Sequence, residues 1–333
     1  MKLFATFTVL AVFVAASLLH VPNAMADKPS ATSNNQSVNV QFEETDSTVK
    51  VMLGGQHFTT FDFGNYAKPI LYPILGPNQT GMTRNWPMNK DVKGEAHDHP
   101  HHKSMWISHE ISGVDFWAET EGKVKTNRVE ISQSEKNMFR ATSSWIKKDD
   151  GEQLLTDHTE YRFGAGNNSR WIDCTITYDA DQGEIVFDDT KEGLFAIRTH
   201  PDLRLKNRPK DGVVEVFGKA RNSEGVEGKA IWGKKAKWLL YQGPIDGKPM
   251  SIAMYYHPTN LRHPTTWHAR DYGLVTSNPF GMHHFLGKEK GEGAFTIKKG
   301  DSLSLRYRVE FIDGLATPKQ IESRYEAFCQ PIK

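Results

Sequence analysis

The stretch Leu303-Ser304-Leu305-Arg306-Tyr307-Arg308-Val309-Glu310-Phe311 alternates apolar and polar side chains without interruption. Successive side chains of a β-strand point to opposite faces, so this alternation predicts a strand that is buried on one face. Trp171–Tyr178 repeats the pattern in the middle of the chain. Antiparallel sheets commonly pack one face inward in this way, and both segments are predicted to be strands of such a sheet.

The same period of two recurs along most of the chain, and turn signals separate the segments. It is present in Val38–Phe42, Val49–Leu53, Phe58–Phe63 and Val129–Ser132. Turn-forming residues occur at Gly54-Gly55, Asp149–Gly151, Gly164–Asn168, Asp181–Gly183, Asp246-Gly247 and Lys299–Asp301. No repeat of fixed period is found, which argues against a propeller or a solenoid. We therefore predict an all-β fold, either a large antiparallel β-sandwich of two sheets or a supersandwich.

One convincing helix closes the chain. Thr317 stands in the N-cap position, Pro318 in the first helical position and Gln320 in the third. This combination is a capping box, and it predicts a short C-terminal helix over Ile321–Phe328.

The N-terminal region has the pattern of an export signal. An apolar run from Leu3 to Leu19 follows a lysine, and Ala24-Met25-Ala26 is a small-residue cleavage box. We interpret residues 1–26 as a signal peptide, 27–36 as a disordered spacer and 37–333 as a single β-sandwich domain. No later segment approaches about 18 uncharged apolar residues, so we expect a periplasmic or secreted protein without a membrane span after cleavage.

The charge balance narrows the choice of partners. Lys and Arg number 41 and Asp and Glu number 40, so the chain has no excess of positive charge with which to bind nucleic acid or an anionic membrane. The chain has eight tryptophans. Some of them are expected to form apolar surfaces on which a ligand ring stacks, and the others are expected to be core residues. A small-molecule or glycan substrate is the expected partner. Cys174 and Cys329 are the only cysteines, so they either form one disulfide or remain two free thiols.

Two polar segments concentrate the histidines. His97-Asp98-His99-Pro100-His101-His102 holds four of the 14 in the chain, and imidazole can ligate a metal, transfer a proton or orient a polar substrate. Tyr256–Gly273 and Asn278–His284 contribute five more. The second region is too rich in Pro, His and Arg for a regular strand, so we predict a long irregular binding loop over a rigid sheet. We expect the two segments to converge on one pocket.

Several motifs resemble a known family. They are Lys68–Pro77, Thr83–Met88, Asp98–Trp106, Gly113–Trp117 and Trp267–Gly273 with Asn278–Gly281. Over about residues 38–311 the chain resembles the secreted bacterial proteins labelled methane oxygenase PmoA, and its layout is also similar to galactose-mutarotase-like sandwiches. The resemblance implies a secreted, β-rich protein associated with polysaccharide-degrading bacteria, and it assigns no catalytic residue. Lys103-Ser104 departs from the Arg-Gly more usual in the family.

Three hypotheses about function follow. In the first, the protein carries out acid–base chemistry of an epimerase, lyase or hydrolase type on a sugar or sugar derivative. A carboxylate such as Glu95, Asp98 or Asp271 would then work beside an imidazole. The candidate catalytic residues are His99, His102, His268 and Asp271, and the candidate substrate-binding residues are Arg84, Trp106, Arg262, His263, Trp267, Arg270 and His283.

In the second hypothesis, the His97–His102 segment binds a divalent metal such as Zn, Cu or Fe. Alternate residues of an extended segment share a face, so His97, His99 and His101 would offer three imidazoles to one ion. In the third, the protein is a non-catalytic periplasmic glycan-binding module. No nucleotide-binding motif is present, so we expect no nucleotide cofactor and leave a divalent metal open.

Overall fold

The computed structural model describes Met1 and residues 38–92, 94–207 and 215–331. The predicted signal peptide, apart from Met1, and the predicted spacer lie outside the described residues. The strands are β1 Val40–Glu44, β2 Thr48–Leu53, β3 Gln56–Asp62, β4 Ile70–Ile74, β5 Met105–Ile107, β6 Glu110–Ile111, β7 Val114–Asp115, β8 Gly122–Ile131, β9 Met138–Lys147, β10 Gln153–Ala165, β11 Ser169–Asp179, β12 Ile185–Phe187, β13 Phe195–Arg198, β14 Lys219–Asn222, β15 Lys235–Ala236, β16 Trp238–Ile245, β17 Lys248–Tyr256, β18 Thr265–Ala269, β19 Leu274–Asn278, β20 Phe295–Ile297 and β21 Ser302–Asp313. The α-helices are α1 Met282–Leu286 and α2 Pro318–Phe328, and short 3-10 helices span Pro77–Gln79, Pro201–Leu203 and Gly228–Ile231.

The strands form three antiparallel sheets, as the alternating sequence pattern predicts. A nine-stranded sheet has the order β1-β2-β3-β4-β5-β13-β19-β18-β15, and an eight-stranded sheet has the order β14-β16-β17-β21-β11-β10-β9-β8. A four-stranded sheet, β20-β12-β6-β7, completes the fold. The predicted all-β fold is confirmed, and all six of the quoted alternating segments contain observed strands.

Aromatic side chains join the two large sheets across the main core. Phe58 of β3 packs edge-on against Phe163 of β10 and Phe311 of β21, with ring centroids 6.2 and 6.1 Å apart. Phe195 of β13 stacks on Tyr307 of β21 at 4.3 Å. Burial of each such ring contributes roughly 1.5–3 kcal/mol, so these contacts are a large part of what holds the sheets together.

The predicted turn and helix ends are also observed. Asp246 and Gly247 connect β16 to β17 with φ angles of 49° and 76°, the positive values that a tight two-residue hairpin requires. At the start of α2, the Thr317 hydroxyl accepts from the Gln320 amide and the Gln320 side chain accepts from the Thr317 amide, so the predicted capping box is confirmed. Both cysteines are free thiols.

The predicted irregular loop around Trp267 and His268 is wrong. Residues Thr265–Ala269 form β18 and residues Leu274–Asn278 form β19, two neighbouring strands of the nine-stranded sheet in which every residue is buried. Several of their polar side chains have partners inside the protein, as when the Trp267 indole donates to the Ala236 carbonyl and the Asn278 amide donates to the Thr190 carbonyl. A strand buried on both faces lacks the alternation of apolar and polar residues that marks a half-buried strand, so the sequence pattern of Thr265–Ala269 does not predict a strand.

A second, smaller apolar cluster lies apart from the main core. It includes Trp106, Trp117, Ala196 and Leu274. Met105 and Ile107, the neighbours of Trp106 in β5, belong to the main core instead. Because side chains alternate along a strand, the second cluster lies on the opposite face of the nine-stranded sheet. In the described part of the chain, no helix is both long and apolar enough to cross a membrane.

A buried carboxyl group makes stability depend on pH. Asp157 of β10 is enclosed by the core, and it accepts hydrogen bonds from the Trp145 indole and the Thr159 hydroxyl, each at 2.8 Å. Burial raises its pKa from 3.8 to about 6, only partly offset by these bonds. Between these values the folded state holds a proton that the unfolded state releases, so the free energy of unfolding falls as pH rises.

We expect Asp157→Asn to remove that pH dependence, because the amide is neutral and the Thr159 hydroxyl can accept from it. The wild-type free energy of unfolding should fall by roughly 2 kcal/mol between pH 4 and 7 relative to the variant, because most of the difference between the two pKa values is titrated in this range. Urea unfolding across this range measures the difference, with the exposed Asp46→Asn as a control. Parallel curves for wild type and Asp157→Asn would show that the carboxyl is not responsible.

Candidate functional site

One buried arginine organises the histidine-rich segment. Arg84, only 1% exposed, donates from Nη1 to the Ala96 and Asp98 carbonyls at 3.3 and 2.9 Å. Its Nη2 donates to the His99 and His102 carbonyls, each at 2.9 Å. Nη1 also contacts the Asp98 carboxylate at 3.0 Å. The guanidinium thus collects the carbonyls of a segment that has no regular hydrogen-bonded structure, and it fixes the path of that segment.

Glu95 fastens the same segment at its other end. Its carboxylate accepts from the backbone amides of Asn85 and Trp86 at 2.7–3.1 Å and from the Asn85 side chain at 3.0 Å. Thr83 and Ser104 add a hydroxyl contact of 2.8 Å. Glu95 therefore works as a structural clamp, and its acceptor sites are occupied by these donors.

A second buried arginine sets the protonation of His102. Arg198 Nη1 lies 3.0 Å from His102 Nδ1, and its Nη2 lies 3.2 Å from the Asp98 carboxylate. Arginine carries only donors, so His102 Nδ1 must accept and the proton of the neutral ring is on Nε2. Burial and the positive charge of Arg198 hold the pKa of His102 well below its ordinary value of 6.5. His102 is consequently a neutral N–H donor.

The His102 ring lies within a packed group of aromatic rings. It stacks on His99 at 4.8 Å and on Trp106 at 5.3 Å, with interplanar angles of 5° and 18°. Tyr272 stacks on His99 at 5.4 Å, and Trp117 packs edge-on against His102 at 5.5 Å. These contacts leave the His102 ring little freedom to rotate, so its Nε2–H has a fixed direction.

A cleft of about 240 Å³ opens beside these rings. It is lined by His99, His101, His102, Glu110, Asp115, Trp117, Ala118, Glu192 and Tyr272. Three imidazoles, three carboxyl groups and two larger aromatic rings therefore share one cleft, which we call the histidine cleft. Burial, reinforced by the nearby Lys68 charge, lowers the pKa of His101 to about 4, so this imidazole is also neutral at pH 7.

The three carboxyl groups of the histidine cleft differ in their surroundings. Asp115 accepts from the Ala118 amide at 2.8 Å and the Thr120 hydroxyl at 3.1 Å, which fixes the following turn. Glu110 lies opposite Asp115 in the β6–β7 hairpin, and burial together with neighbouring negative charge raises its pKa. Glu192 is half-buried, and Lys191 Nζ lies 3.1 Å away.

Two lysines share one carboxylate behind Trp117. Lys68 and Lys103 contact Glu119 at 2.7 and 2.6 Å, and Lys68 also donates to the Trp117 carbonyl at 2.9 Å. Burial, opposed by the Glu119 charge, lowers the pKa of Lys68 to about 8. Lys103, which stands at the position where the sequence departs from its family pattern, is thus part of a structural ion-pair group.

The structure brings together about half of the predicted site residues. His99, His101 and His102 line the histidine cleft, and Trp106 stacks directly behind His102. The Arg270 guanidinium lies 5.7 Å from the centre of the Tyr272 ring, at the edge of the cleft. Arg84 supports this segment from behind, because its guanidinium donates to the carbonyls of Ala96, Asp98, His99 and His102.

His268 lies next to the histidine cleft without lining it. Its Nδ1 is 2.9 Å from the Lys191 carbonyl and 3.8 Å from the Glu192 carboxylate. Burial lowers its pKa to about 4. Trp267, the preceding residue in β18, points to the main core. Of the predicted second segment, His268, Arg270 and Tyr272 lie at or next to the histidine cleft. The predicted convergence of the two segments therefore holds for these residues and not for the other candidates.

Four other candidate residues lie elsewhere. Arg262 donates to carbonyls of the 279–294 segment, and His263 Nε2 lies 2.9 Å from the Tyr325 hydroxyl of α2. His283 is exposed on α1, with Nδ1 2.8 Å from the Lys288 carbonyl. Asp271 lines a different, wider groove. These placements follow from the strand pairing, which carries the chain away from the cleft on both sides of β18 and β19.

The extended geometry expected for the three predicted metal ligands is wrong. His99 has a φ of 48°, and the His102 amide donates to the His99 carbonyl at 3.0 Å, so the segment turns. His97 stacks on Trp86 at 5.3 Å, whereas His99 stacks on His102. Among the residues that the structure describes, no group of three or more His, Cys, Asp or Glu side chains is placed to hold a metal ion.

Sequence reasoning missed the carboxyl groups of the cleft. Asp115 and Trp117 belong to the motif Gly113–Trp117, and Tyr272 belongs to Trp267–Gly273, but none of the three was predicted to be a site residue. Glu110 and Glu192 carry no spacing signal that marks them as site residues. They reach the cleft only because β6 belongs to the four-stranded sheet and β13 pairs with β5.

Removal of the Arg84 guanidinium should destabilise the fold. In Arg84→Met, two buried carbonyls, two partly buried carbonyls and the Asp98 carboxylate lose a donor, and such a loss costs roughly 3–5 kcal/mol. The free energy of unfolding in urea at pH 7 measures it. Arg128→Met is the control, because Arg128 is exposed and pairs with the exposed Glu130, so its effect should stay within about 0.5 kcal/mol. Equal stabilities of the two variants would refute the organising role of Arg84.

Comparison with solved structures returns distant neighbours. The α-galactosidase from Lactobacillus brevis is 8% identical with a TM-score of 0.37, and the match covers 83% of this chain and 40% of that one. A putative aldose 1-epimerase from Escherichia coli K12 is 9% identical with a TM-score of 0.35, and the match covers 82% and 99%. This chain thus spans about 40% of the length of the α-galactosidase.

Sequence comparisons identify a family. No curated protein matches the chain significantly. The methane-oxygenase name of the family that the motifs resemble receives no support from these comparisons. A family described as "Family of unknown function (DUF6807)" matches residues 48–326, and the chain belongs to this family.

Proposed function

We propose that the protein acts on a sugar or a sugar derivative by general acid–base chemistry in the histidine cleft. The observation that carries the proposal is the shared lining of that cleft: three imidazoles, three carboxyl groups and the rings of Trp117 and Tyr272. Hydroxyl groups of a sugar both donate and accept, so they suit such a mixed lining, and aromatic rings pack against the apolar face of a sugar ring.

The size of the cleft favours a single sugar unit. Its volume of about 240 Å³ lies just below the range of roughly 300–1,000 Å³ usual for small-molecule sites. One monosaccharide, or one unit of a longer glycan, fills such a space. We also propose that the N-terminal apolar segment exports the chain, so that the substrate is met in the periplasm or outside the cell.

The residues have distinct roles in this proposal. Neutral His102 forms part of the cleft wall, where Arg198 at Nδ1 and stacking on His99 hold its ring in place. Glu192 is the base. It lines the cleft, whereas the Asp115 carboxylate, which also lines it, accepts a hydrogen bond from the Ala118 backbone amide. Glu110 is the acid, because its raised pKa keeps the carboxyl protonated to higher pH.

A panel of sugars tests the proposal directly. Untagged protein is incubated with monosaccharides, uronic acids, short glycans and oxidised sugars, and anomer exchange, isomerisation and cleavage are followed by proton NMR. We expect Glu192→Gln to lower the rate for the active substrate by roughly 10²- to 10⁴-fold, the usual contribution of a general base. Glu289→Gln, which changes an exposed carboxylate far along the chain, should retain the wild-type rate.

Two results would contradict this assignment. Turnover that is unchanged in Glu192→Gln would remove Glu192 from the chemistry. Sugar binding without turnover of any substrate would indicate the non-catalytic glycan-binding module instead.

The rate should also depend on pH through Glu110. A general acid works in its protonated form, so the rate should fall as pH rises through the raised pKa of this carboxyl. Glu110→Gln cannot ionise, and the alkaline fall should disappear in this variant along with much of the rate. Profiles of kcat/KM against pH for both proteins provide the measurement, and an unchanged alkaline fall in the variant would assign the acid elsewhere.

A further inference from the structure

A second cleft lies on the outer face of the eight-stranded sheet, beside the end of α2, and has a volume of about 310 Å³. Arg306 and Arg308 of β21 flank Tyr307, a main-core residue, so their side chains point to the opposite face of the sheet. Arg162 of β10 pairs with Asp173, which pairs in turn with Arg308, and this register places Arg162 on the same face. Three arginines therefore line one cleft, which we call the arginine cleft.

Two of these arginines are paired with carboxylates. Arg308 Nε and Nη2 donate to the two Asp173 oxygens at 2.5 and 2.8 Å, a bidentate pair. Arg162 contacts the carboxylates of Glu135 and Glu160. The hydrogen bond to Glu135 raises the pKa of Arg162, and burial, which lowers the pKa of Arg308, is outweighed by Asp173. These three carboxylates are thus already engaged by two of the guanidinium groups.

Arg306, the third arginine, has no such partner. It forms no ion pair with a carboxylate in the part of the chain that the structure describes. Its Nη1 lies 3.3 Å from His257 Nε2, and its Cζ lies 4.8 Å from the centre of the Phe328 ring. Burial lowers the pKa of Arg306, and the Asp173 carboxylate does not offset this effect, whereas it does so for Arg308. Two rings therefore hold a guanidinium whose charge is not balanced by a direct contact.

Part of the Arg306 guanidinium is open to a ligand. Nε is enclosed without an acceptor, so it does not contact a ligand. Nη2 also lacks a partner among the described residues, but it is not one of the enclosed atoms, and the same is true of Arg308 Nη1. Arginine carries only donors, so a ligand at these nitrogens must offer acceptor oxygens. The unbalanced charge of Arg306 favours oxygens that are anionic.

The rest of the arginine cleft suits a polar molecule that is larger than a simple ion. Asn137 and Gln330 also line it, and carboxamide groups both donate to and accept from hydroxyl groups. The volume of about 310 Å³ exceeds the space that one inorganic oxyanion fills, and it lies at the lower end of the range of roughly 300–1,000 Å³ usual for small-molecule sites.

We propose that the arginine cleft is a second binding site, in which Arg306 binds the carboxylate of a small hydroxylated acid such as a uronic acid. A carboxylate is planar and matches the edge of a guanidinium group, which makes it a favourable partner for arginine. Inorganic sulfate shares the oxyanion chemistry and is the competing occupant. The arginine cleft and the histidine cleft have no lining residue in common, so this inference stands independently of the proposed function.

Proton NMR of the histidine rings tests the site. Sodium glucuronate is added to the untagged protein at constant pH and ionic strength, and the His257 signals are identified by their absence in His257→Gln. Because His257 contacts Arg306, we expect its ring signals to shift with glucuronate. Glucose, the neutral counterpart, should leave them unchanged at the same concentration. His283, exposed on α1, is the internal reference and should not shift with either sugar.

A charge-matched pair of variants assigns the effect to Arg306. Arg306→Gln keeps a polar side chain but loses the cation, and it should weaken glucuronate binding, measured by isothermal titration, roughly tenfold or more. Arg128→Gln changes the net charge by the same amount at an exposed arginine that is paired with Glu130, and it should keep the wild-type affinity. If Arg306→Gln does not fold, the His257 shift in the wild-type protein still decides whether the cleft is occupied.

The outcomes are distinct from those that bear on the histidine cleft. His257 signals that glucuronate leaves unshifted, or equal weakening in Arg306→Gln and Arg128→Gln, would overturn the site. Sodium sulfate that shifts His257 at a lower concentration than glucuronate would overturn the hydroxylated acid as the occupant. Sugar turnover that is lost in Glu192→Gln while glucuronate still shifts His257 would show that the two clefts act separately, as we propose.

Discussion

The buried guanidinium of Arg84 is the constraint on which the site depends. A segment that contains four histidines and a proline cannot satisfy its backbone carbonyls through a sheet ladder, because it turns at His99. Buried carbonyls without donors would be costly, and a single side chain with five N–H groups supplies most of what is needed. The positive charge then requires a counter-charge, which Asp98 provides. The path of the segment that carries His99, His101 and His102 follows from this arrangement.

The chemistry of the site is a consequence of that electrostatic arrangement. Asp98 also contacts Arg198, and Arg198 in turn occupies the Nδ1 side of His102. Imidazole usually titrates near neutral pH, but here burial and two neighbouring arginines keep it neutral. His102, which by residue type suggests metal ligation or proton transfer, is thereby held neutral, and in the proposed function the proton-transfer roles belong to Glu110 and Glu192.

The sequence predicts strands correctly where one face of the strand is exposed to solvent and the other is buried. Leu303–Phe311 and Trp171–Tyr178 were predicted as strands from their alternation, and they pair with each other in the eight-stranded sheet. The helix start at Thr317 was predicted because a capping box is a local interaction. The method failed at Thr265–Ala269, where a strand buried on both faces keeps polar side chains by hydrogen-bonding them inside the protein.

The sequence by itself determined the fold class, the C-terminal helix and the concentration of imidazoles at His99–His102, because alternation, capping and residue type are local properties. Only the tertiary structure decided which residues share the cleft. Glu110 and Glu192 reach it through pairing between strands far apart in the chain, and the same pairing carries His263 towards α2. Protonation was likewise beyond the sequence, because the pKa of His102 depends on burial and on Arg198, which lies 96 residues further along the chain.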